Sequence, residues 1–320
     1  MKRIAATVIV ALAFVLAAHA QTYPVRPIRL VVPFAPGGSS EIVARSVAAE
    51  MSQILGQQVY VENKAGAAGN LAMAEVAKAE PDGYTLILGH IGTLAVNPYM
   101  FDKLPYDPDR DFIAVSLLAI VPSLFVVNAS VPAKDLKEFV KLAQASPGKL
   151  TYGSAGNGSA GHLAFEYLKL ETKIDLLHIP YKGTGPQLTD LLGGRIDAAA
   201  AGAPPLLPHI KGGKLRAIAV GTPQRIAALP DVPTVAEQGY PGFETSQWYG
   251  LMVPAKTPDA IVKRLADAAA QSAKRPAVHE RFAQDNAVAV GSTPAEFASY
   301  IKREQARWKE VVDKAHIRAE

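Results

Sequence analysis

The 320-residue chain contains no cysteine. That single absence removes disulfides, thiolate zinc sites, iron–sulfur clusters and cysteine nucleophiles together. Charge is scarce as well, at 19% Asp, Glu, Lys and Arg, and no basic block gathers anywhere along the chain. A nucleic-acid footprint needs a clustered stripe of Lys and Arg, so no nucleic-acid partner is expected. Beyond the first twenty residues the histidines, His90, His162, His178, His209, His279 and His316, form no close metal-ligand pair, and no two acidic residues are spaced for general acid and base work. No metal and no catalytic pair are expected. Long apolar runs are missing after the first twenty residues, and Ala198 to Ala201 is too short to span a membrane and reads as buried strand.

What the chain does have is 49% hydrophobic residues, ample for a buried core, and 25 glycines and 24 prolines set at strand-to-helix junctions. Met1-Lys2-Arg3 is a basic start, Ile4 to Ala18 an apolar run, and Ala18-His19-Ala20 a small-x-small cleavage pattern. Together they read as a secretory signal peptide, residues 1–20, cut after Ala20. The protein is therefore expected to be exported. The formal charge of +4 then falls to near neutrality.

Strand and helix patterns alternate along the rest. Ile28 to Val32 is β-rich, and Val43, Val47, Met51 and Ile54 recur at helical spacing before Gly56, a C-terminal glycine stop. Further strands are expected at Val59–Val61, Thr85–Leu88, Leu124–Val127, Leu150–Tyr152, Leu176–Ile179, Ile218–Val220 and Tyr249–Val253. Helices are expected at Leu71–Lys78, Leu136–Gln144, Leu163–Leu170, Ile261–Ala273 and Pro294–Ala315. Thr184-Gly185-Pro186-Gln187 reads as a capping box opening a helix to Leu192. This alternation defines the α/β class, with parallel sheets covered on both faces. About 300 mature residues divide more readily into two lobes than one.

Two glycine-rich turns could carry chemistry, because ligands in such sheets sit at the carboxyl ends of strands. The first holds Phe34, Ala35, Pro36, Gly37, Gly38, Ser39, Ser40 and Glu41. Its glycines let backbone N–H groups approach a ligand, a helix start favours an anion, and Ser39 or Ser40 can cap that helix. Without a ligand the same residues make a tight turn. The second holds Ser154, Ala155, Gly156, Asn157, Gly158, Ser159 and His162. Gly156, Gly158 and Gly161 fit the dinucleotide glycine spacing, but no acidic residue ends the next strand, so no cofactor is expected. The nucleophile-elbow pattern fails at Ser154 and Ser159 alike, since Tyr152 and Asn157 stand where it needs glycine. Smaller turns at His90–Thr93, Pro180–Thr184 and Gly202–Pro205 fall at strand ends too and could line a common cleft, though each alone reads as a solvent loop.

Ordered motifs then resemble a known family. They include Val32-Pro33-Phe34-Ala35-Pro36-Gly37-Gly38, Val61-Glu62-Asn63-Lys64-Ala65-Gly66, Pro81-Asp82-Gly83-Tyr84-Thr85, Tyr152-Gly153-Ser154-Ala155-Gly156-Asn157-Gly158-Ser159, Pro180-Tyr181-Lys182-Gly183 and Leu229-Pro230-Asp231-Val232-Pro233-Thr234. These resemble the Bug-type (TctC) extracytoplasmic receptors of the tripartite tricarboxylate transporter family. The resemblance implies a two-lobe, periplasmic-binding-protein-like fold, each lobe a mainly parallel sheet flanked by helices, with a ligand cleft between. Residues 21–121 and 247–320 would form lobe 1, and residues 122–246 lobe 2. It implies a periplasmic monomer, not an enzyme, that captures a small organic carboxylate and meets the membrane components of a tripartite tricarboxylate transporter. The two glycine-rich turns would grip the carboxylate, with His90, Thr93, Tyr181, Lys182, Gly202 and Trp248 nearby. Trp248 is placed beside the cleft at the return crossing. Where the family usually has aspartate this chain has Glu41, whose longer side chain bears on the pocket. An exported serine hydrolase using Ser159 and His162, and a ligand sensor feeding a signalling partner, are the alternatives. The identity of the carboxylate is left open.

Overall fold

The computed structural model describes residues 23–284, 286–315, 317 and 318, so the expected signal peptide lies outside the described residues. The chain runs β1 (Ile28–Val32), α1 (Ser39–Leu55), β2 (Val59–Asn63), α2 (Asn70–Val76), β3 (Thr85–His90), α3 (Asn97–Met100), β4 (Phe112–Asn128), α4 (Leu136–Ala145) and β5 (Thr151–Ser154). It continues through α5 (Ala160–Thr172), β6 (Leu177–Pro180), α6 (Thr184–Leu192), β7 (Ala198–Gly202), α7 (Ala203–Lys211), β8 (Leu215–Val220) and β9 (Ser246–Pro254). It closes with α8 (Asp259–Ala273), α9 (Pro276–Gln284), β10 (Val288–Ala289) and α10 (Pro294–Ala315).

One sheet, ordered β2-β1-β3-β9-β4-β7-β5-β6, threads the whole molecule. Strand β4 is its axle. It pairs with β9 as far as Pro122, opposite Ser246, and from Ser123 onward with β7, and β8 joins from Leu124. The outer strands pair in parallel, β2 with β1 and β1 with β3 in the first half, β6 with β5 and β5 with β7 in the second. Around β4 and β9 every pairing is antiparallel, so the expectation of mainly parallel lobes holds only at the outer strands. Two strands that each pass once between the halves in opposite senses must lie antiparallel.

Period-two burial builds the layers. In β1, Ile28, Leu30 and Val32 pack under α1, α8 and α9, while Val31 faces the opposite side with α2 and α10. Helix α1 meets that sheet with Val43, Val47, Met51 and Leu55, four residues apart, and stops at Gly56, whose φ of 69° is left-handed and whose N–H reaches Ser52 O at 3.1 Å. In the second half, Phe125, Tyr152, Ala198 and Ala200 face α4 and α5, whereas Leu124, Ala199 and Ala201 face α6, α7 and β8.

Three local expectations are corrected. Thr184 is the first residue of α6, with Gly183 as the cap and no side-chain capping bond. The Gln187 amide that would complete a capping box donates instead to Gly153 O at 2.9 Å, lacing α6 to β5. Ser39 and Ser40 do not cap α1 either. Gly38 is the cap without a side-chain bond, and both serines already lie inside the first turn. Finally, Gly202–Pro205 is no solvent loop, because Ala203 opens the buried helix α7 with proline in its first turn, a position where a missing N–H costs nothing.

Candidate functional site

A small chamber of about 20 Å³ lies where the carboxyl ends of β1, β3, β5 and β7 converge. Phe34 and Ser40 come from the β1–α1 junction, and His90 ends β3. Ala155, Ser159, Ala160 and Gly161 come from the β5–α5 junction, Thr184 begins α6, Ala200 and Ala201 lie on β7, and Gln247 and Tyr249 on β9. Helices α1, α5 and α6 thus turn their N-termini towards one small space. The N–H groups of a helix's first turn have no acceptor within the helix, and the dipole adds positive potential there. No Asp, Glu, Lys or Arg lines the chamber. What it offers an anion is a set of fixed, neutral donors.

His90 is one of them. It is fully buried, and desolvation lowers its pKa to about 3, so the ring is neutral. Its Nδ1 accepts the Thr93 N–H at 3.2 Å, which places the proton on Nε2 and makes that atom a donor. The His90 ring lies 4.6 Å from the Phe34 ring, between centroids. Thr93 is fully buried and does not line the chamber; it holds His90 in place, also accepting the His90 N–H at 3.1 Å through its hydroxyl. Burial raises the Tyr249 phenol, which stays protonated and donates to Gln247 Oε1.

The second glycine-rich turn stands on a column of rings. Phe165, Tyr152, His178 and His162 stack with centroids 4.5, 4.7 and 4.4 Å apart. Ser154 Oγ lies 2.7 Å from His178 Nε2, so the column anchors the start of the turn. Ser159 caps α5 by accepting the His162 N–H at 3.4 Å, while His162 Nδ1 accepts the Gly158 N–H at 3.2 Å. The Ser159 and His162 side chains are therefore each committed to backbone groups and not bonded to one another, which is the wrong geometry for a nucleophile and its base.

The remaining expected residues hold the lobes together. Ala35 N–H donates across the cleft to Lys182 O at 3.1 Å. Gly37 and Gly38 abut Gly185 and Thr184, and Gly202 packs against Ser39. Gly92, after β3, lies so close to Gly158 that a Cβ there would stand 2.1 Å from the Gly158 carbonyl oxygen. Glu41 turns away from the chamber, accepting the Gly37 N–H at 2.7 Å and pairing with Arg45 at 2.7 Å. Its extra methylene over aspartate supplies the reach for that return bond. Pro36 is exposed, and Asn157 is half-buried outside the chamber lining. Tyr181 donates to Asp190 at 2.8 Å, and with Lys182 it lines a neighbouring cavity.

Trp248 is corrected outright. Its ring is fully buried on the far side of β9, edge-on to Phe297 and Tyr300, with Nε1 donating to Glu304 at 2.8 Å. Trp308 donates to the same carboxylate, so the two indoles share one environment and Trp248 is no privileged reporter of the cleft. Its neighbours Gln247 and Tyr249 face the chamber, one residue away in a strand where faces alternate. That alternation was the available signal for them. Thr184 was read as a cap, and Ala200 and Ala201 as plain core.

Three neutral imidazoles carry a pH consequence. Burial lowers His90 to about 3, His162 to about 4 and His178 to about 3, all from 6.5. A depressed histidine pKa means the unfolded chain binds more protons below pH 6.5, so folding stability is retained above that value. It falls on acidification towards pH 3, by about 1.4 kcal/mol per pH unit for each such group. Thermal melts should thus be insensitive to these groups above pH 7 and drop steeply below pH 6, with His90→Gln flattening the drop. An acid branch unchanged in that variant would contradict the assignment.

Two α/β lobes closed over a chamber where helix N-termini converge is the build of a solute-binding receptor. The chain belongs to the tripartite tricarboxylate transporter family receptors, whose family model matches residues 43–317. It is similar to the solved periplasmic binding protein BugD, with 35% identity and a TM-score of 0.90 over 93% of this chain and 100% of that one. Rpa4515 of R. palustris, solved with adipate, shows 35% identity and a TM-score of 0.89 over 92% and 98%. MatC from Rhodopseudomonas palustris, solved with bound malate, shows 38% identity and a TM-score of 0.88 over 91% and 100%.

Proposed function

We propose that this receptor is exported to the periplasm by a cleaved signal peptide, works as a monomer, catalyses nothing, and captures a small organic carboxylate for the membrane components of a tripartite tricarboxylate transporter. The observation that carries the ligand class is the chamber wall itself. Three helix N-termini meet there with neutral His90 and several hydroxyls, and no carboxylate opposes them. An anion gains oriented donors in a closed, water-poor space, where each is worth more than in solvent. Two of the similar structures were solved with carboxylates, adipate in one and malate in the other, which fits this reading. A lobe boundary at 121/122 and 246/247 is part of it, supported by the change of β4 partners between Pro122 and Ser123.

Native mass spectrometry of freshly purified protein, followed by thermal melts against aliphatic and aromatic carboxylates with their amides, tests the reading. Bound carboxylate at a hundred times Kd should stabilise the fold by about 2.7 kcal/mol. Stabilisation by amides or amines, with none from any acid, would overturn it.

A further inference from the structure

Strand β3 ends at His90, and the chain passes at once into a single π-helical turn, Gly92–Val96, ahead of α3. Turns of this kind gather at functional sites. The wide register shows in the Asn97 N–H, which bonds to Gly92 O, five residues back. The next two carbonyls meet a gap. Pro98 stands in π register with Thr93 and in α register with Leu94, and proline has no N–H to give. Side chains from outside the turn supply the donors instead. The Tyr106 hydroxyl reaches Thr93 O at 2.7 Å, and Gln305 Nε2 of α10 reaches Leu94 O at 3.0 Å.

Tyr106 is buried, lies edge-on to Phe112 and does not line the chamber. Burial keeps its phenol protonated, with one proton to donate. The shorter contact directs that proton to Thr93 O. Its other neighbour, Asn70 Oδ1 at 3.2 Å, is already supplied by Asn97 Nδ2 at 2.7 Å. Thr93 is thus held at both ends of its backbone, by Tyr106 at the carbonyl and by His90 Nδ1 at the N–H.

Resting on the carboxylate reading above, we propose that Tyr106 is a positioning residue for ligand capture: through the Thr93 carbonyl it holds the Thr93 N–H on His90 Nδ1, and so keeps His90 Nε2–H as a donor to the ligand's carboxylate. A neutral imidazole has two tautomers, and they have opposite uses here. With the proton on Nε2 the chamber meets a donor, whereas with the proton on Nδ1 it meets a lone pair that repels an anion. The Thr93 N–H occupying Nδ1 forbids the second. Without the phenol, Thr93 O is a buried orphan, and the turn must move to find it a partner, which draws the Thr93 N–H off the ring.

The test pairs ring-nitrogen NMR of the ligand-free protein at neutral pH with calorimetry against aliphatic and aromatic acids, acetate, succinate, glutarate and benzoate among them. Both are run on the parent and on Tyr106→Phe, which keeps the ring against Phe112. The parent should show His90 as the Nε2–H tautomer alone, and Tyr106→Phe a mixture with Nδ1–H. Affinity for the best-bound acid should fall about fivefold, the worth of one hydrogen bond. Carried into a His90→Ala background, the same change should cost nothing further, because the imidazole it acts through is gone. An unchanged tautomer, an unchanged affinity, or equal losses in both backgrounds would overturn the proposal and leave the carboxylate receptor standing. A parent that binds amides and no acid would bring down the carboxylate reading, and the tautomer would then decide alone whether Tyr106 positions His90.

Discussion

Gly185→Ala is expected to lower carboxylate affinity by about tenfold or more while leaving the ligand-free protein as stable as the parent or slightly more so. Gly185 is the second residue of α6 and has an ordinary backbone φ, so alanine brings no strain there. Within a helix alanine is favoured over glycine by up to about 1 kcal/mol, less in the first turn. The obstacle lies wholly on the other lobe. A Cβ on Gly185 would stand 2.4 Å from the Pro36 carbonyl oxygen, a backbone clash that parting of the lobes relieves. Apparent affinity scales with the population of the closed form, and a tenfold loss corresponds to about 1.4 kcal/mol of bias towards open. Calorimetry with the best-bound carboxylate, beside melts of the ligand-free protein, separates the two effects. Unchanged affinity would mean that the Pro36–Gly185 contact is absent from the bound state.

That prediction has no counterpart in the sequence, and the reason is physical. The strand–helix alternation was legible because burial imposes periods of two and 3.6 on each element, as in Ile28–Val32 and in Val43, Val47 and Met51. The pairing of one turn with another is not periodic. Gly37 against Gly185 and Gly92 against Gly158 are long-range approaches that leave no local pattern. Of β4 only Leu124–Val127 is legible from the sequence, because an exchange of partners leaves no local pattern; the strand gives up β9 for β7 and β8 between Pro122 and Leu124. The two glycine-rich turns were found because glycine is itself a local signal. Trp248 shows the same limit: the pleat decides which of Gln247, Trp248 and Tyr249 faces the chamber, and an aromatic residue at a crossing carries no mark of its face.

Gly156→Val should have the larger effect on binding, an affinity loss of about a hundredfold or more, together with a fall of a few degrees in melting temperature. Gly156 sits at φ 120°, where any L-residue is strained by roughly 1–3 kcal/mol, and a Cβ would meet Tyr181 O at 2.8 Å. Unlike Gly185, its obstacle lies in its own lobe, where Tyr181 N–H is already bonded to Ser154 O at 3.0 Å. The strain is therefore present in open and closed forms alike, and the ligand-free protein must feel it. Relief requires the turn to leave its path. Gly156 O accepts the Ser159 N–H at 3.0 Å and the Ser154 hydroxyl at 3.1 Å, so the displaced turn carries with it Ala155 and Ser159 of the chamber wall and the cap of α5. The core beneath, from Tyr152 to Phe165, is untouched, so circular dichroism should remain that of the parent. Gly156→Ala, with the same φ but less bulk, should fall between. A valine variant that keeps both its fold and the parent's affinity would show that this turn shapes the lobe without touching the ligand.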